Sequence, residues 1–148
     1  MGIVRGNHPA KVDPKGRLPL PAGVREFFAS GEKVQVFITT TDGQSAEIWP
    51  LEKWEEREAK LGKLGLDPEA EDYLYMANYY GKEVQIDGQG RVMLPQLLRE
   101  EARLTGDVAI LGNPNFLAVF NDQLFRETRL RPLTREQKFS IAQKLESA

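Results

Sequence analysis

The amino-acid sequence predicts a β-rich α+β fold in which two half-length repeats interlock about a pseudo-two-fold axis. Three observations predict it: an internal duplication, alternating apolar residues within each copy, and helical patterns after each copy. The chain has 148 residues, of which 41% are hydrophobic and 28% charged, so it can bury a core. One copy alone, of roughly 50 residues, is too small to bury a good core. Two copies that interlock can share one core and cover each other's strand edges.

The duplication is visible as one pattern at two places, separated by half the length of the chain. Residues 13–26 and 87–100 both read Asp-x-x-Gly-Arg-apolar-x-Leu-Pro-x-x-apolar-Arg-Glu. The same spacing continues into the next strand pattern and then shortens, which we interpret as a deletion of three residues in a turn. The matched residues are Val34 with Val108, Val36 with Ile110, Ile48-Trp49 with Val119-Phe120, and Trp54 with Phe125. A match of this length is typical of a tandem duplication.

Each copy predicts the same order of local structure. Residues 12–20 alternate around a Pro-Lys-Gly turn, which predicts a strand interrupted at that turn. Pro21 and Pro95 suit the first position of a short helix, and Gly31 and Gly106 are the predicted helix stops. A hairpin follows in each copy. Its strands are predicted at 33–39 and 46–49 around Asp42-Gly43 in the first copy, and at 107–111 and 116–120 around 113–115 in the second.

Helical patterns follow each copy and divide the chain. Residues 51–64 carry apolar residues among charges, Asp67-Pro68-Glu69 has the features of a helix start, and Thr134-Arg135-Glu136-Gln137 is a capping-box pattern. We expect these helical segments to supply contacts between protomers. The predicted organisation is one compact unit with a first repeat at 1–50, a helical insert at 51–80, a second repeat at 81–121 and a C-terminal helical tail at 122–148.

Composition excludes several classes of function. The chain has no Cys, which excludes disulfides, thiolate metal sites and cysteine nucleophiles, and its single His excludes a metal site built on two histidines of one chain. It contains no apolar run long enough to span a membrane, and its first residues lack the apolar stretch of a signal peptide. We expect a soluble cytoplasmic protein without a metal, cofactor, membrane partner or small-molecule substrate.

The duplicated pattern resembles the MraZ family, within the wider AbrB/SpoVT swapped-hairpin group of bacterial transcription factors. The resemblance rests on the paired motif, on Arg5-Gly6 seven residues before Asp13, and on Glu47-Ile48-Trp49-Pro50 ahead of Trp54, and it covers nearly the whole chain. It implies a pseudo-two-fold barrel of two intertwined AbrB-like repeats, in a homo-oligomer that assembles as a ring. It also implies binding to repeated double-stranded DNA sites upstream of the division and cell-wall gene cluster, including the protein's own gene.

Charge is polarised along a chain whose formal net charge is only -2. Residues 5–25 hold five cations and one acid, whereas residues 82–103 hold four of each and residues 52–72 hold eight acids and four bases. The second copy has Gln89 where the first has Lys15. Arg can bind a guanine edge through two hydrogen bonds, and Lys mainly contacts phosphate. We therefore predict DNA contacts by Arg5, Lys11, Lys15, Arg17 and Arg91, with Lys15 and Arg17 dominant.

Other residues of the motif are predicted to hold its shape. Asp13 and Asp87 are expected to fix the Gly-Arg turn, through Asx-type bonds or through an ion pair with Arg25 or Arg99. The two turn glycines can take a positive φ at little cost. Whether the two later arginines are structural or contact DNA stays open at this point. The predicted structural residues of the motif are Asp13, Gly16, Arg25, Asp87, Gly90 and Arg99.

Two further hypotheses belong to other classes of protein. Asp13 and Asp87 could form a carboxylate dyad of an aspartyl hydrolase, but the turns lack the Asp-Thr/Ser-Gly sequence and the adjacent cations would keep both acids ionised. An antitoxin-like DNA-binding scaffold of the AbrB group would usually carry one copy and a disordered tail, whereas this chain has two copies and a helical tail. We expect a sequence-specific, nucleoid-associated transcriptional regulator and not an enzyme.

Overall fold

The computed structural model describes residues 4–24, 28 and 34–148, and over them the chain is a mixed α+β fold with an antiparallel sheet. The predicted α+β class is therefore confirmed. The strands are β1 Asn7–Val12, β2 Arg17–Pro19, β3 Gln35–Thr39, β4 Ala46–Pro50, β5 Lys82–Gln85, β6 Arg91–Met93, β7 Gly106–Gly112 and β8 Leu117–Asn121. The helices are α1 Leu51–Gly62, α2 Pro68–Tyr80, α3 Gln96–Glu101, α4 Asp122–Thr128 and α5 Arg135–Ser147.

The two copies interlock by exchanging their first strands. The main sheet has the order β1-β7-β8-β4-β3-β5, so β1 of the first copy pairs with β7 of the second. The reciprocal pair joins β5 of the second copy to β3 of the first. A two-stranded ribbon pairs β2 with β6. Each copy therefore gives an edge strand to the other, and neither set of strands is complete alone.

The register of two strand pairs reveals the pseudo-two-fold axis. Leu18 lies opposite Val92 in the ribbon, and Glu47 lies opposite Ala118 where β4 pairs with β8. Both pairs join positions that are equivalent in the alignment of the two copies. Equivalent residues face each other in an antiparallel pair only where a two-fold axis passes between the strands.

The structure corrects the predicted alignment of β3 with β7. Ile38 lies opposite Ile48 in the first hairpin, and Ile110 lies opposite Val119 in the second. Because Ile48 and Val119 are equivalent, the counterpart of Ile110 is Ile38. The predicted match of Ile110 with Val36 is therefore wrong by two residues. The deletion of three residues in the second copy is divided between the connection before β7 and the turn of the hairpin. An alternating pattern still matches itself after a slip of two residues, so the sequence alone does not reveal the shift.

The first strand also lies earlier than predicted. β1 covers Asn7–Val12, ahead of the turn, where the sequence predicted a strand that begins at residue 12. Pro9 weakens the strand signal in this stretch, because Pro has no N–H for the hydrogen-bond ladder. The structure accommodates Pro9 because β1 is an edge strand, paired only with β7.

The end of α3 differs from the prediction as well. The chain reverses at Arg103, whose φ is 54°, and not at Gly106, which is the first residue of β7. The N–H of Leu104 donates to the carbonyl oxygen of Arg99 at 2.9 Å, as in a Schellman motif with Arg103 in the left-handed position. Gly31, the other predicted stop, lies outside the described residues.

Two hydrophobic clusters hold these elements together. The larger one joins the ribbon to the sheet and contains residues from both copies, among them Leu18, Ile38, Ile48, Val92 and Ile110. The smaller one attaches α1 and α2 to the sheet through Phe37, Trp49, Trp54 and Ala77. The Trp54 ring lies 4.8 Å from that of Phe37 and 5.3 Å from that of Trp49. Such aromatic pairs contribute about 0.5–1.5 kcal/mol each beyond the area they bury.

The likeness of the two copies continues past β4 and β8 into the helices that follow. Trp49 packs against Trp54 of α1, and Phe120 packs against Phe125 of α4 at 4.6 Å between ring centroids. An arginine covers the strand aromatic in each copy: Arg57 lies 4.9 Å from the Trp49 ring, and Arg129 lies 5.4 Å from the Phe120 ring. The strand-to-helix corner is therefore a repeated structure with changed side chains.

Candidate nucleic-acid interface

The first motif forms a tight turn that is built around Asp13. Its Oδ1 accepts hydrogen bonds from the N–H groups of Lys15 and Arg17, each at 2.9 Å. Its carbonyl oxygen accepts from the N–H of Gly16 at 2.9 Å, and its own N–H donates to the carbonyl oxygen of Arg17 at 3.0 Å. The Nε of Arg17 donates to Asp13 Oδ2 at 2.6 Å. One aspartate thus closes the turn and also orients the arginine that ends it.

The second motif repeats this geometry around Asp87. Its Oδ1 accepts from the N–H groups of Gln89 and Arg91, at 2.8 and 2.9 Å. Its carbonyl oxygen accepts from the N–H of Gly90 at 3.0 Å, and its N–H donates to the carbonyl oxygen of Arg91 at 2.9 Å. The Nε of Arg91 donates to Asp87 Oδ2 at 3.0 Å. The turn geometry therefore survives the change from Lys to Gln at its exposed corner.

Each turn has the predicted Asx-type hydrogen bonds, and each aspartate forms an ion pair with the arginine of its own turn; Asp13 pairs with Arg17 and not with Arg99. Arg17 and Arg91 lie four residues after the aspartates, so the turn brings each guanidinium back to its carboxylate. Arg99 packs instead against Gly16, where a Cβ would overlap its Nη1 atom. Gly16 has a φ of 90°, a backbone conformation that favours glycine at this position. Arg25 lies outside the described residues.

Hydrogen bonds lower the pKa of both turn aspartates. The backbone N–H of Arg17 is the largest cause for Asp13, and the backbone N–H of Arg91 is the largest cause for Asp87; burial opposes the lowering of the pKa in both. Both carboxylates are therefore ionised at neutral pH. A catalytic dyad needs one carboxyl whose pKa is raised so that a proton can be shared. The turns do not provide that condition, which argues against the hydrolase hypothesis.

The ribbon brings the two turns together and aims both arginines outward. In its register Arg17 lies opposite Met93 and Pro19 lies opposite Arg91. Leu18 and Val92, between them, are buried at 0% and 1% exposure. Because alternate residues of a strand point to opposite faces, the outer face of the ribbon carries Arg17, Pro19, Arg91 and Met93.

One backbone hydrogen bond fastens each turn to the opposite strand of the ribbon. The N–H of Leu94 donates to the carbonyl oxygen of Gly16 at 2.9 Å. The N–H of Leu20 donates to the carbonyl oxygen of Gly90 at 3.0 Å. Each glycine carbonyl therefore accepts a hydrogen bond from a residue of the other copy. These two equivalent bonds hold the turns in symmetric positions about the pseudo-two-fold axis.

The remaining predicted cations lie at or before the first turn. Lys15 is exposed at its corner, and Arg5 is exposed ahead of β1. Lys11 lies near the end of β1, with its Nζ 3.8 Å from Asp107 Oδ1 and the two side chains 82% and 73% exposed. An ion pair this exposed contributes little and is easily given up for another anion. The second turn has the neutral Gln89 at the position of Lys15.

Two further residues of the outer face, Pro19 and Met93, were not predicted from the sequence to take part in binding. Pro19 is exposed, and Met93 has 47% of its surface exposed although it is apolar. The sequence does contain a signal for them. Pro19 and Met93 alternate with the apolar Leu18 and Val92, and this alternation places them on the same face as the two arginines. A ribbon that carries two arginines, a proline and a methionine offers both hydrogen-bond donors and apolar contact.

Two further searches cover the part of the chain that the structure describes, one for metal-binding groups and one for membrane-spanning helices. Within it, no three His, Asp or Glu side chains are grouped so that they could bind a metal ion. None of the helices described here combines the length and the apolar character that crossing a lipid bilayer requires.

The fold and its paired turns define an internally duplicated, strand-exchanged α+β protein with an arginine-bearing ribbon. A family model described as "MraZ protein, putative antitoxin-like" matches residues 3–74 and 81–146, one match for each copy. The chain belongs to the MraZ family.

Curated relatives support this assignment over nearly the whole chain. A protein of Acidobacterium capsulatum named transcriptional regulator MraZ is 45% identical over 143 residues, which cover 95% of this chain and 98% of that protein. Proteins of the same name from Koribacter versatilis and Hydrogenovibrio crunogenus are 41% and 32% identical, over 95% and 99% of this chain and over 97% and 98% of their own length. The family consists of regulators and is not an enzyme family.

Proposed function

We propose that this protein is a DNA-binding transcriptional regulator that contacts DNA with the outer face of the ribbon. The observation that carries the proposal is the placement of Arg17 and Arg91 on one exposed face, each held by the aspartate of its own turn. The names of the curated relatives point the same way. A two-stranded ribbon is narrow enough to enter the major groove of B-DNA.

The aspartates prepare the two arginines for base recognition more than for general attraction to phosphate. Each ion pair engages Nε and leaves the guanidinium with its two Nη groups as further donors. A guanidinium that is already oriented loses less conformational freedom when it binds the O6 and N7 atoms of guanine. The paired carboxylate also cancels much of its charge, so attraction to phosphate has to come from other cations.

Those cations belong mainly to the first copy. We propose that Lys15, Lys11 and Arg5 contact phosphates, with Lys15 and Arg17 dominant and Arg91 assisting. Lys15 is exposed at the corner of its turn, and Lys11 has only an exposed partner in Asp107. Each phosphate contact steepens the salt dependence of log K by about 0.9 per unit of log salt concentration.

The other motif residues have structural roles in this proposal. Asp13 and Asp87 hold the two turns and aim the arginines, and Gly16 and Gly90 supply the positive φ of 90° and 77°. Arg99 packs on Gly16 and supports the first turn from the second copy. The structural role of Arg25 stays a prediction.

We also propose where the protein acts and how it assembles. The resemblance to the family implies repeated DNA sites upstream of the division and cell-wall gene cluster, including the protein's own gene, and a nucleoid-associated ring-shaped homo-oligomer. We further propose that the sheet and the ribbon close into an AbrB-like barrel. The division of the chain at residues 50, 80 and 121 stays a prediction; the repeated aromatic corner favours counting α1 and α4 with the repeats.

Titration against DNA from upstream of the protein's own gene tests this proposal. Wild type should bind this DNA more tightly than a shuffled sequence at moderate salt, and Arg17→Ala should weaken specific binding roughly tenfold or more, since one bidentate contact to guanine supplies about 1–3 kcal/mol of discrimination. Arg126→Ala is the matched control, because Arg126 makes the same i,i+4 ion pair with Asp122 but lies on α4, away from the ribbon. Equal loss in both variants, or none in Arg17→Ala, would contradict the assigned surface.

A further inference from the structure

Glu47 is a buried carboxylate in β4 to which the proposed function gives no role. The residue is only 7% exposed. Its Oε1 accepts a hydrogen bond from the Nε1–H of Trp49 at 2.9 Å, and its Oε2 accepts one from the Thr41 hydroxyl at 3.3 Å. No Lys or Arg among the described residues forms an ion pair with it. Burial of a carboxylate without a cationic partner is unfavourable, so a cation from outside the chain would stabilise it.

The surroundings of Glu47 disfavour its ionised form. Burial raises the pKa of its carboxyl above the ordinary value, and the negative charge of Asp42 raises this pKa further. The hydrogen bonds from Trp49 and Thr41 and the charge of Arg57 act in the opposite direction without cancelling the effect of burial. A cation placed beside the carboxylate would favour the ionised form and bind in return.

A cavity of about 320 Å³ opens beside Glu47, on the face of the main sheet that points away from the ribbon. Ile48, Leu117 and Val119 belong to the larger hydrophobic cluster, which also holds the ribbon. Glu47 and Ala118 alternate with these residues along β4 and β8, so they point to the other face. Glu47 lies directly opposite Ala118, and the small alanine side chain leaves room in front of the carboxylate.

The cavity lies where the pseudo-two-fold axis crosses the main sheet. Glu47 and Ala118 are equivalent positions of the two copies, and the axis passes between them. The first copy therefore has a carboxylate where the second has a methyl group. Leu111 of β7 and Ala118 of β8 also line the cavity. A ligand that fills it would contact both copies at once.

The walls of the cavity are aromatic and its lining is acidic. Its aromatic residues are Phe116, Phe120 and Phe125, and its charged residues are Asp42, Glu47 and Arg129. Two acids thus face one base, and that base is exposed and lies over the Phe120 ring. Aromatic faces attract cations, as this guanidinium already shows. The combination favours a ligand that joins a positive charge to an apolar body.

We propose that this cavity binds a small organic ammonium, whose nitrogen pairs with Glu47 and whose apolar part lies against the phenylalanines. The carboxylate can accept further hydrogen bonds beyond those from Trp49 and Thr41. Its volume is at the small end of the range for ligand pockets. An inorganic cation fits less well, because hard metal ions need several oxygen ligands and the described residues contain no group of three acids or histidines.

Three probes of matched size test the charge requirement on the wild-type protein. They are benzylammonium, the neutral benzyl alcohol and the anionic benzoate, each titrated at neutral pH. The fluorescence of the chain's two tryptophans reports binding, since Trp49 donates to Glu47 and Trp54 packs against Trp49. Isothermal calorimetry measures the same affinities independently. Benzylammonium should bind roughly tenfold or more tightly than benzyl alcohol, because a hydrogen bond to a charged group is stronger than one between neutral groups. Benzoate should bind least.

Two variants and one control place the site. Glu47→Gln keeps an acceptor for the Trp49 N–H but removes the charge, so the affinity for benzylammonium should fall roughly tenfold, to that for benzyl alcohol. Ala118→Leu fills the cavity from the second copy and should weaken both probes. Glu83→Gln is the matched control, because Glu83 is an exposed glutamate of β5 in the same sheet and does not line the cavity. It should leave both affinities unchanged, and circular dichroism checks the fold of all three.

Other outcomes would overturn the inference, each for a distinct reason. If wild type binds none of the probes, or binds benzyl alcohol as tightly as benzylammonium, the cavity is not an ammonium site, whatever the variants do. Unchanged benzylammonium affinity in Glu47→Gln or in Ala118→Leu places the bound cation elsewhere. An equal loss in Glu83→Gln means that the net charge of the protein, and not Glu47, attracts the probe. None of these results bears on the DNA contacts of the ribbon, which lies on the other face of the sheet.

Discussion

The two turns of the ribbon have the same geometry but differ in charge. Around Asp13 and Asp87 the same five hydrogen bonds recur at distances between 2.6 and 3.0 Å. The exposed corner of the first turn carries Lys15, and that of the second carries Gln89. The stretch around the first turn holds five cations and one acid, whereas the stretch around the second holds four of each.

The comparison of the two copies separates two requirements for binding DNA, the shape of the turn and the positive charge beside it. The shape of the turn depends on the aspartate, the glycine and the first arginine, which both copies retain. Attraction to an anion depends on residues beside the turn, which only the first copy retains. Duplication therefore lets the chain keep two rigid arginines while it concentrates positive charge at one of them.

The largest difference between the copies is expected in DNA affinity. The double variant Lys15→Ala with Arg17→Ala should lose roughly 100-fold in specific binding, because it removes an oriented arginine and a phosphate contact. The matched variant Gln89→Ala with Arg91→Ala should lose roughly tenfold, since it removes the arginine alone. Fluorescence anisotropy at two salt concentrations measures both. The slope of log K against log salt should become shallower by about 0.9 more in the first variant than in the second.

An equal or larger loss in the second variant would reverse the ranking of the copies. Both variants should keep the mass of wild type and lose a similar, small amount of thermal stability, because each removes the half-buried ion pair of one turn. A change of mass would show that the ribbon takes part in assembly.

A smaller effect is expected from moving the charge to the second copy. Gln89→Lys gives the second turn the corner residue of the first, at a position whose side chain is exposed. One added phosphate contact should raise affinity about fivefold at moderate salt and steepen the salt slope by about 0.9. Gln123→Lys, on an exposed side of α4, adds the same charge away from the ribbon and should leave the slope unchanged. Equal gains in both variants would mean that net charge alone matters.

Much of this architecture follows from the sequence because the duplication is explicit. Because each copy is too small to fold alone, the duplication predicts that the two copies interlock. The structure shows this interlocking as exchanged strands, with β1 paired with β7 and β5 paired with β3. The capping box at Thr134 and the Asp67-Pro68 start of α2 follow from local chemistry, and both are present. Local signals of this kind do not depend on the rest of the fold.

Long-range geometry was the part that the sequence could not supply. The slip of two residues between β3 and β7 is invisible to an alternating pattern, and β1 was missed because Pro9 obscures an edge strand. The partner of Asp13 was ambiguous because spacing alone cannot rank Arg17 against the later arginines. Only the turn's backbone bonds show that Arg17 folds back on its own aspartate.

No difference between the two copies is expected in their contribution to thermal stability. Asp13→Ala and Asp87→Ala each remove the same three hydrogen bonds within the turn, two from backbone N–H groups and one from the arginine Nε, so they should lower the melting temperature equally at pH 7. Because the pKa of each aspartate is lowered in the folded chain, its stabilising contribution is present above the carboxyl's ordinary range and is lost as the pH falls through the lowered value. Both variants should therefore converge on wild type in acid. Thermal unfolding followed by circular dichroism between pH 7 and strongly acidic pH measures this, and unequal losses at pH 7 would show that the two turns are not the same structure energetically.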